Sequence, residues 1–315
     1  MTVDTKPREP VIDVTDIRKS FGATEAVRGV DLRVSPGEMF SIVGPDGAGK
    51  TTTLRILCGI LAPSSGRGTV LGHDLIRERR AIRPQIGYLS QGFSLYGDLS
   101  VDENIEFFAR IHGVRDFRGR RQELLDFTRL TPFRGRLASR LSGGMKKKLA
   151  LACTLVHRPR VIFLDEPTTG VDPVSRRDFW VILSQLIKDG VTVVLTTPYL
   201  DEAERCSRVG LLNAGSFMRV DTPARVRESL PGRLWEIVCS PARSAFKALR
   251  AQGMDPSVLQ LYGDRVHVRL DAGEDPEERI LSGLREQGIG VQHWREVAPR
   301  LENVFISLLE EGGSE

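Results

Sequence analysis

Long hydrophobic runs are missing from this 315-residue chain. Apolar stretches such as 161–164 and 191–195 are strand length, far below the roughly 20 residues a membrane-spanning helix needs. If a membrane matters to this protein, another chain must supply the span. The opening MTVDTKPREP is polar and mixed in charge, without the apolar core of a secretory signal, so the expectation is a protein that stays inside the cell. Cysteine is scarce as well. Cys58, Cys153, Cys206 and Cys239 stand far apart, with no C-x-x-C pair and no histidine at ligand spacing, which predicts small buried thiols in a reducing compartment and no metal framework. Charge of one sign is also lacking: the formal net charge is +4, and the arginines are scattered without a cationic block or interleaved aromatics. Nucleic acid is therefore not an expected partner. The remaining composition, 40% hydrophobic and 27% charged, is that of a globular chain with room for one large domain and one smaller one.

What the chain does have is concentrated between Met39 and Cys58. A short apolar run ends in Gly44-Pro45-Asp46-Gly47-Ala48-Gly49-Lys50-Thr51 and passes into Leu54, Leu57 and Ile60 at helical spacing. Strand, glycine-rich loop and helix in that order make a phosphate-binding loop in its required context. The glycines let backbone N–H groups point inward, and the helix N-terminus adds partial positive charge. Lys50 is expected on the β- and γ-phosphates, the Thr51 hydroxyl on Mg²⁺ and Thr52 on a phosphate oxygen. A plain turn joining strand to helix would not require the whole eight-residue pattern.

Residues 11–21 and 26–34 alternate as half-buried strands do, and the turn Ser35-Pro36-Gly37-Glu38 leads into a buried strand at 39–43. An antiparallel β layer thus precedes the loop. Phe21 leaves the first strand as an aromatic suited to a core or a stacking position. A strand at 85–90 delivers Gln91. From Phe93 to about Arg158 the period turns helical, through 101–111, 122–130 and 145–156. There Leu141-Ser142-Gly143-Gly144-Met145 opens a helix with a hydroxyl and two glycines, either a second anion site or only a serine N-cap. Lys146, Lys147 and Lys148 read as a solvated face of that helix.

An apolar strand at 160–164 ends in Asp165-Glu166-Pro167. Adjacent carboxylates at the C-terminal end of a buried strand stand where open α/β sheets bind ligands. A phosphate loop needs one carboxylate for Mg²⁺ and one group to position the attacking water, so Asp165 suits the metal and Glu166 the water. Asp172 and Pro173 start a helix to Lys188, a strand at 191–197 delivers Pro198, and Tyr199 begins a short acidic helix. A hairpin and a short helix after Thr222-Pro223 close a first domain, 10–230, behind a tail of residues 1–9. Pro231-Gly232 marks the boundary. Residues 231–315 then read as strand, helix, strand, strand, helix, strand and terminal helix, the split order of a small α+β ferredoxin-like domain without a catalytic constellation, hence a packing, dimerising or regulatory module.

In that order GPDGAGKT, Gln91, LSGGM and VIFLDEP resemble the ATP-binding subunit of ABC transporters over residues 10–230. The segments TTGVDP and YLDEAE, with Pro299-Arg300-Leu301-Glu302-Asn303-Val304-Phe305, look like the multidrug and polysaccharide exporter type. The resemblance implies an α/β P-loop NTPase fold: an antiparallel β layer, a RecA-like core and a helical subdomain at about 93–158. It implies ATP and Mg²⁺, with Phe21 stacked on adenine, Gly44, Asp46, Gly47, Ala48, Gly49, Lys50, Thr51 and Thr52 on the nucleotide, and Thr51, Gln91 and Asp165 at the metal. Glu166 and Lys50 become catalytic. Leu141, Ser142, Gly143 and Gly144 become the signature that closes over ATP held by a second ABC subunit, identical or not, and Asp172 crosses that interface. The implied partner is a transmembrane permease, and the implied location is cytoplasmic, peripheral on the inner face of the cell membrane. Hydrolysis would drive export. Three positions depart from the pattern: Asp46 for Asn, Lys147 and its neighbours for Gln after the signature, and Pro198 for the switch His. Proline offers no hydrogen bond, so hydrolysis would rest on Glu166 alone, on a hydroxyl of Thr197 or Tyr199, or on a partner subunit that keeps its His. The alternative function is a catalytically weak ATP-binding partner of a second ABC subunit. A soluble ABC protein of translation or DNA repair is the other rival, opposed by the single nucleotide domain and the lack of a basic arm.

Overall fold

Period-two alternation builds the first layer. In β1 (Ile12–Phe21) and β2 (Thr24–Val34), Ile12, Val14, Ile17, Val27, Val30, Leu32 and Val34 turn inward and are buried. After β3 (Met39–Val43) and α1 (Lys50–Leu57) the chain returns to this layer with β4 (Ser65–Val70) and β5 (His73–Asp74), giving an antiparallel sheet in the order β2-β1-β4-β5. The computed structural model describes residues 9–92, 95–271 and 273–312. Phe93, where the helical period begins, and all but the last residue of the 1–9 tail lie outside the described residues.

A second sheet carries the loop. The short α2 (Arg79–Ile82) leads to β6 (Ile86–Leu89), and the helices α3 (Val101–Ile111), α4 (Phe117–Phe127) and α5 (Gly143–Leu155) separate it from β7 (Val161–Asp165). Then come α6 (Pro173–Lys188), β8 (Thr192–Thr197), α7 (Leu200–Ala203) and the hairpin β9 (Arg208–Asn213) and β10 (Ser216–Asp221). The sheet order is β10-β9-β3-β8-β7-β6, and β9, β3, β8, β7 and β6 run parallel. Because β3, β7 and β8 are buried along their whole lengths, they behave as strands covered on both faces. Their carboxyl ends open on one edge. Local chemistry sets the helix starts: Ser100 and Glu103 form a reciprocal cap on α3, and Asp172 Oδ1 accepts from Ser175 N at 2.9 Å on α6 with Pro173 at its first position. One apolar cluster, with Ile12, Phe40, Leu54 and Phe163, fills the space between the sheets; another, with Ile105, Leu149, Phe179 and Leu195, joins the helical insertion to the parallel sheet.

The expected solvated face of α5 is corrected here. Lys147 and Lys148 are buried, at 3% and 9% exposure, because α5 packs against α3, α4, α6 and β6 and has little surface left for solvent. Lys147 Nζ donates to Gln91 O at 2.8 Å, and Lys148 Nζ to Asp178 Oδ2 at 2.7 Å. Partners satisfy both ammonium groups, as burial requires.

The chain divides into two compact units, Met1–Val220 and Asp221–Glu315. The second contains α8 (Pro223–Glu228), β11 (Arg233–Ser240), α9 (Ala242–Ala251), β12 (Leu259–Tyr262), β13 (Arg265–Leu270), α10 (Ser282–Glu286), β14 (Gly290–Val297) and α11 (Leu301–Gly312). Its sheet, β12-β13-β11-β14, is antiparallel throughout, which is the ferredoxin-like order. The unit begins before the expected Pro231-Gly232 boundary because α8, with Val226 fully buried, packs against α11. One sheet face is apolar, with Trp235, Ile237, Val266 and Val268 clustered with Ala245, Leu249 and Leu284. The other is polar. Glu236 accepts from Arg265 at 3.1 Å and Arg295 at 3.0 Å, with His267 at 3.4 Å. Burial works to raise the Glu236 carboxyl, but these hydrogen bonds outweigh it and hold the pKa down at about 2. Asn303 of α11 docks on this face through Nδ2, which donates to Gln260 Oε1 at 2.6 Å.

Candidate functional site

The loop between β3 and α1 closes tightly over β2. Gly49 has φ 98°, and a Cβ there would stand 2.4 Å from Ala26 O, so the position admits only glycine. Gly49 also gives α1 no side-chain cap, which leaves the N–H groups of its first turn available to an anion. Ala48 is buried under the loop, and its N–H donates to Pro45 O at 3.2 Å. Lys50 folds back across the loop: Nζ donates to Gly44 O at 2.9 Å and Pro45 O at 3.0 Å, and lies 3.5 Å from Glu166 Oε1. Asp46 is almost fully solvated, yet its Oδ1 is 3.6 Å from the same ammonium.

β7 and β8 bring the carboxylates. Asp165, wholly buried, accepts from Thr51 Oγ1 at 2.9 Å and Thr196 Oγ1 at 2.8 Å, with Tyr88 OH at 3.4 Å. Glu166 follows in the left-handed region at φ 47°, and its Oε2 accepts from Gln91 Nε2 at 2.9 Å and Thr169 Oγ1 at 3.3 Å. A cavity of about 500 Å³ opens over these groups, walled by Lys50, Thr51, Thr52, Gln91, Glu166 and Pro198 among others. That volume suits a nucleotide. The hydroxyl of Thr51 beside the Asp165 carboxylate is a hard-oxygen pair of the kind Mg²⁺ takes. Among the described residues no group of three or more His, Cys, Asp or Glu could hold a metal by itself. Gln91 Nε2 is engaged with Glu166. Burial lowers the Lys147 ammonium's hold on its proton, while the charges of Asp165 and Glu166 act the other way.

Other sequence candidates lie apart. Phe21 is 53% exposed, which removes the core reading, and it is not on the cavity wall. Leu141 belongs to the core of the helical insertion. Ser142 caps α5, its Oγ accepting from Met145 N at 3.3 Å, and with Gly143 it faces solvent. Gly144 answers to internal packing, since a Cβ there would meet Ser175 Oγ of α6 at 2.2 Å. Thr197 Oγ1 donates to Glu202 Oε2 at 2.7 Å, so that hydroxyl is committed, whereas Tyr199 stands on the cavity wall with Arg176 over its ring. Tyr88 and Thr196 escaped the sequence reading, and Lys147 entered it only as a solvated residue in place of Gln; two threonines at the end of a buried strand were the available signal. A larger cavity, about 730 Å³, lies beside Arg120, Glu123 and Arg158 and contains none of the motif residues.

The family profile of the ABC transporter matches residues 27–169. The chain is 40% identical over 314 residues to a probable multidrug ABC transporter ATP-binding protein of Escherichia coli, covering 97% of this chain and 53% of that protein. It thus spans about half the length of that relative. A daunorubicin resistance ATP-binding protein of Streptomyces coeruleorubidus is 36% identical, covering 95% of this chain and 96% of its own length. A Nod factor export ATP-binding protein of Rhizobium etli is 34% identical, at 94% and 92% coverage. Among solved structures, the ATP binding subunit of an ABC transporter superposes with TM-score 0.63 at 27% identity, over 69% of this chain and 92% of that one. A dimeric post-hydrolysis ATP-binding cassette bound to ADP and Pi gives TM-score 0.61 at 28% identity, over 67% and 98%.

Proposed function

The chain belongs to the ABC transporter family of ATP-binding proteins, and on that premise we propose that it binds and hydrolyses ATP as the energy subunit of an exporter, in a head-to-tail dimer docked on a separate transmembrane permease at the inner face of the membrane. The observation that carries the reading is the meeting of Lys50, Thr51 and Glu166 on one cavity, with Asp165 bonded to Thr51 behind it. No helix among the described residues is long and apolar enough to cross a membrane, so a permease would be another chain or segment. Loop amides and Lys50 bind the phosphates, and Thr51 with Asp165 would hold Mg²⁺. When bound, that ion neutralises charge on the β- and γ-phosphate oxygens. Glu166 takes the proton of the attacking water: Gln91 holds its Oε2, and Oε1, 3.5 Å from Lys50 Nζ, is the oxygen left to accept that proton. Ser142 and Gly143, exposed at the start of α5, are offered to nucleotide on a second chain.

Glu166→Gln tests this. It removes the proton acceptor while sparing the loop, so ATP should trap a dimer that the unaltered chain forms only transiently, visible by size-exclusion chromatography with ATP. Unchanged turnover without added dimer would remove Glu166 from the mechanism.

A further inference from the structure

Lys147 lies in the second turn of α5 and is 3% exposed. Its apolar stem runs within the packed insertion, and Nζ emerges at the segment after β6, donating to Gln91 O at 2.8 Å. Gln91 is thereby held at both ends. Its carbonyl is gripped by α5, while its side-chain amide donates to Glu166 Oε2 at 2.9 Å. A charged donor makes the first of these bonds a strong one. The same helix carries the exposed Ser142 and Gly143 at its start.

We propose that Lys147 is a positioning residue for Glu166: by clamping the Gln91 carbonyl it keeps the Gln91 amide on the carboxylate, and so links the start of α5 to the catalytic group of the same chain. The proposal rests on the ATPase reading. In a head-to-tail dimer the start of α5 touches nucleotide in one composite site, whereas Glu166 serves the other. The path from Nζ to the Gln91 backbone to the amide to Glu166 then lets each site sense whether the other is filled.

The test compares the full chain with Lys147→Met, which keeps the stem and loses the donor, and Lys147→Arg, which keeps the cation. Steady-state turnover should fall roughly tenfold or more for Lys147→Met, with KM for ATP within about twofold, and Lys147→Arg should recover most of it. Hydrogen exchange of the nucleotide-free protein should speed up around residues 89–92 in Lys147→Met and not along the rest of α5. Added to Gln91→Leu, Lys147→Met should cost nothing further. Turnover within about twofold of the unaltered chain, a loss confined to KM, unchanged exchange near Gln91, or an additive loss in the double variant would each overturn the proposal. Should Lys147→Met fail to fold, Lys147→Leu, which also fills the packed insertion and carries no donor, is held to the same outcomes. An unaltered chain without ATP turnover would defeat the ATPase reading instead, and the exchange comparison would still decide the clamp.

Discussion

A proline ring at 198 forms part of the wall facing Lys50 and Glu166, and it brings neither a donor nor an acceptor to that place. The neighbouring hydroxyl of Thr197 is turned to Glu202, so it does not substitute. Ground-state binding is untouched, because the loop amides and Lys50 do that work. The transition state lacks one polar contact, worth on the order of 3 kcal/mol. The purified chain alone is therefore expected to bind ATP normally and turn it over slowly, and Pro198→His should raise turnover without tightening ATP. Rates and nucleotide affinities of the two proteins decide the matter. Brisk turnover by the unaltered chain alone would mean that Glu166 and the Tyr199 hydroxyl suffice.

At the level of elements, what could be read from sequence was what short-range chemistry determines. The Asp172-Pro173 start fixes α6 locally, and an apolar strand ending in Asp165 and Glu166 has few other uses. The lysines of α5 misled because charge patterning assumes a solvent-facing side, whereas the side turned inward was decided by α3, α4 and α6. Thr196 and Tyr88 became legible only when parallel pairing brought their strands beside Asp165. The ferredoxin-like order was readable from alternation, but the polar sheet face around Glu236 needed the register that sets Arg295 and His267 opposite it. That face has a pH signature. The Glu236 carboxyl is held down from 4.5 to about 2, so its stabilisation is complete above about pH 4.5 and is lost as pH falls towards 2, amounting to about 3 kcal/mol. Trp235 and Trp294 lie in this unit, with ring centroids 5.1 Å apart. In a Trp180→Phe background their fluorescence should report acid unfolding of the unit, and Glu236→Gln should flatten its pH dependence below 4.5. An unchanged acid transition would mean that the arginines contribute nothing net through Glu236.

For the whole molecule the question is whether two chains share a site. Lys50→Ala should lose ATP affinity, since it deletes a charge-assisted contact to the phosphates, while Ser142→Ala should bind normally and fail only in the dimer. Mixed in equal amounts, the two variants should rebuild about a quarter of the composite sites, if chains pair at random. A mixture no more active than its parts counts against sharing. The left-handed backbone at Glu166 reaches further than the chemistry it serves. A side chain with a Cβ is held there against a preference of roughly 1–2 kcal/mol, so heat tolerance and turnover pull the position in opposite directions. Breeding this protein for thermal endurance alone would favour glycine or asparagine at 166, and the survivors would be sturdier vessels for ATP that no longer spend it.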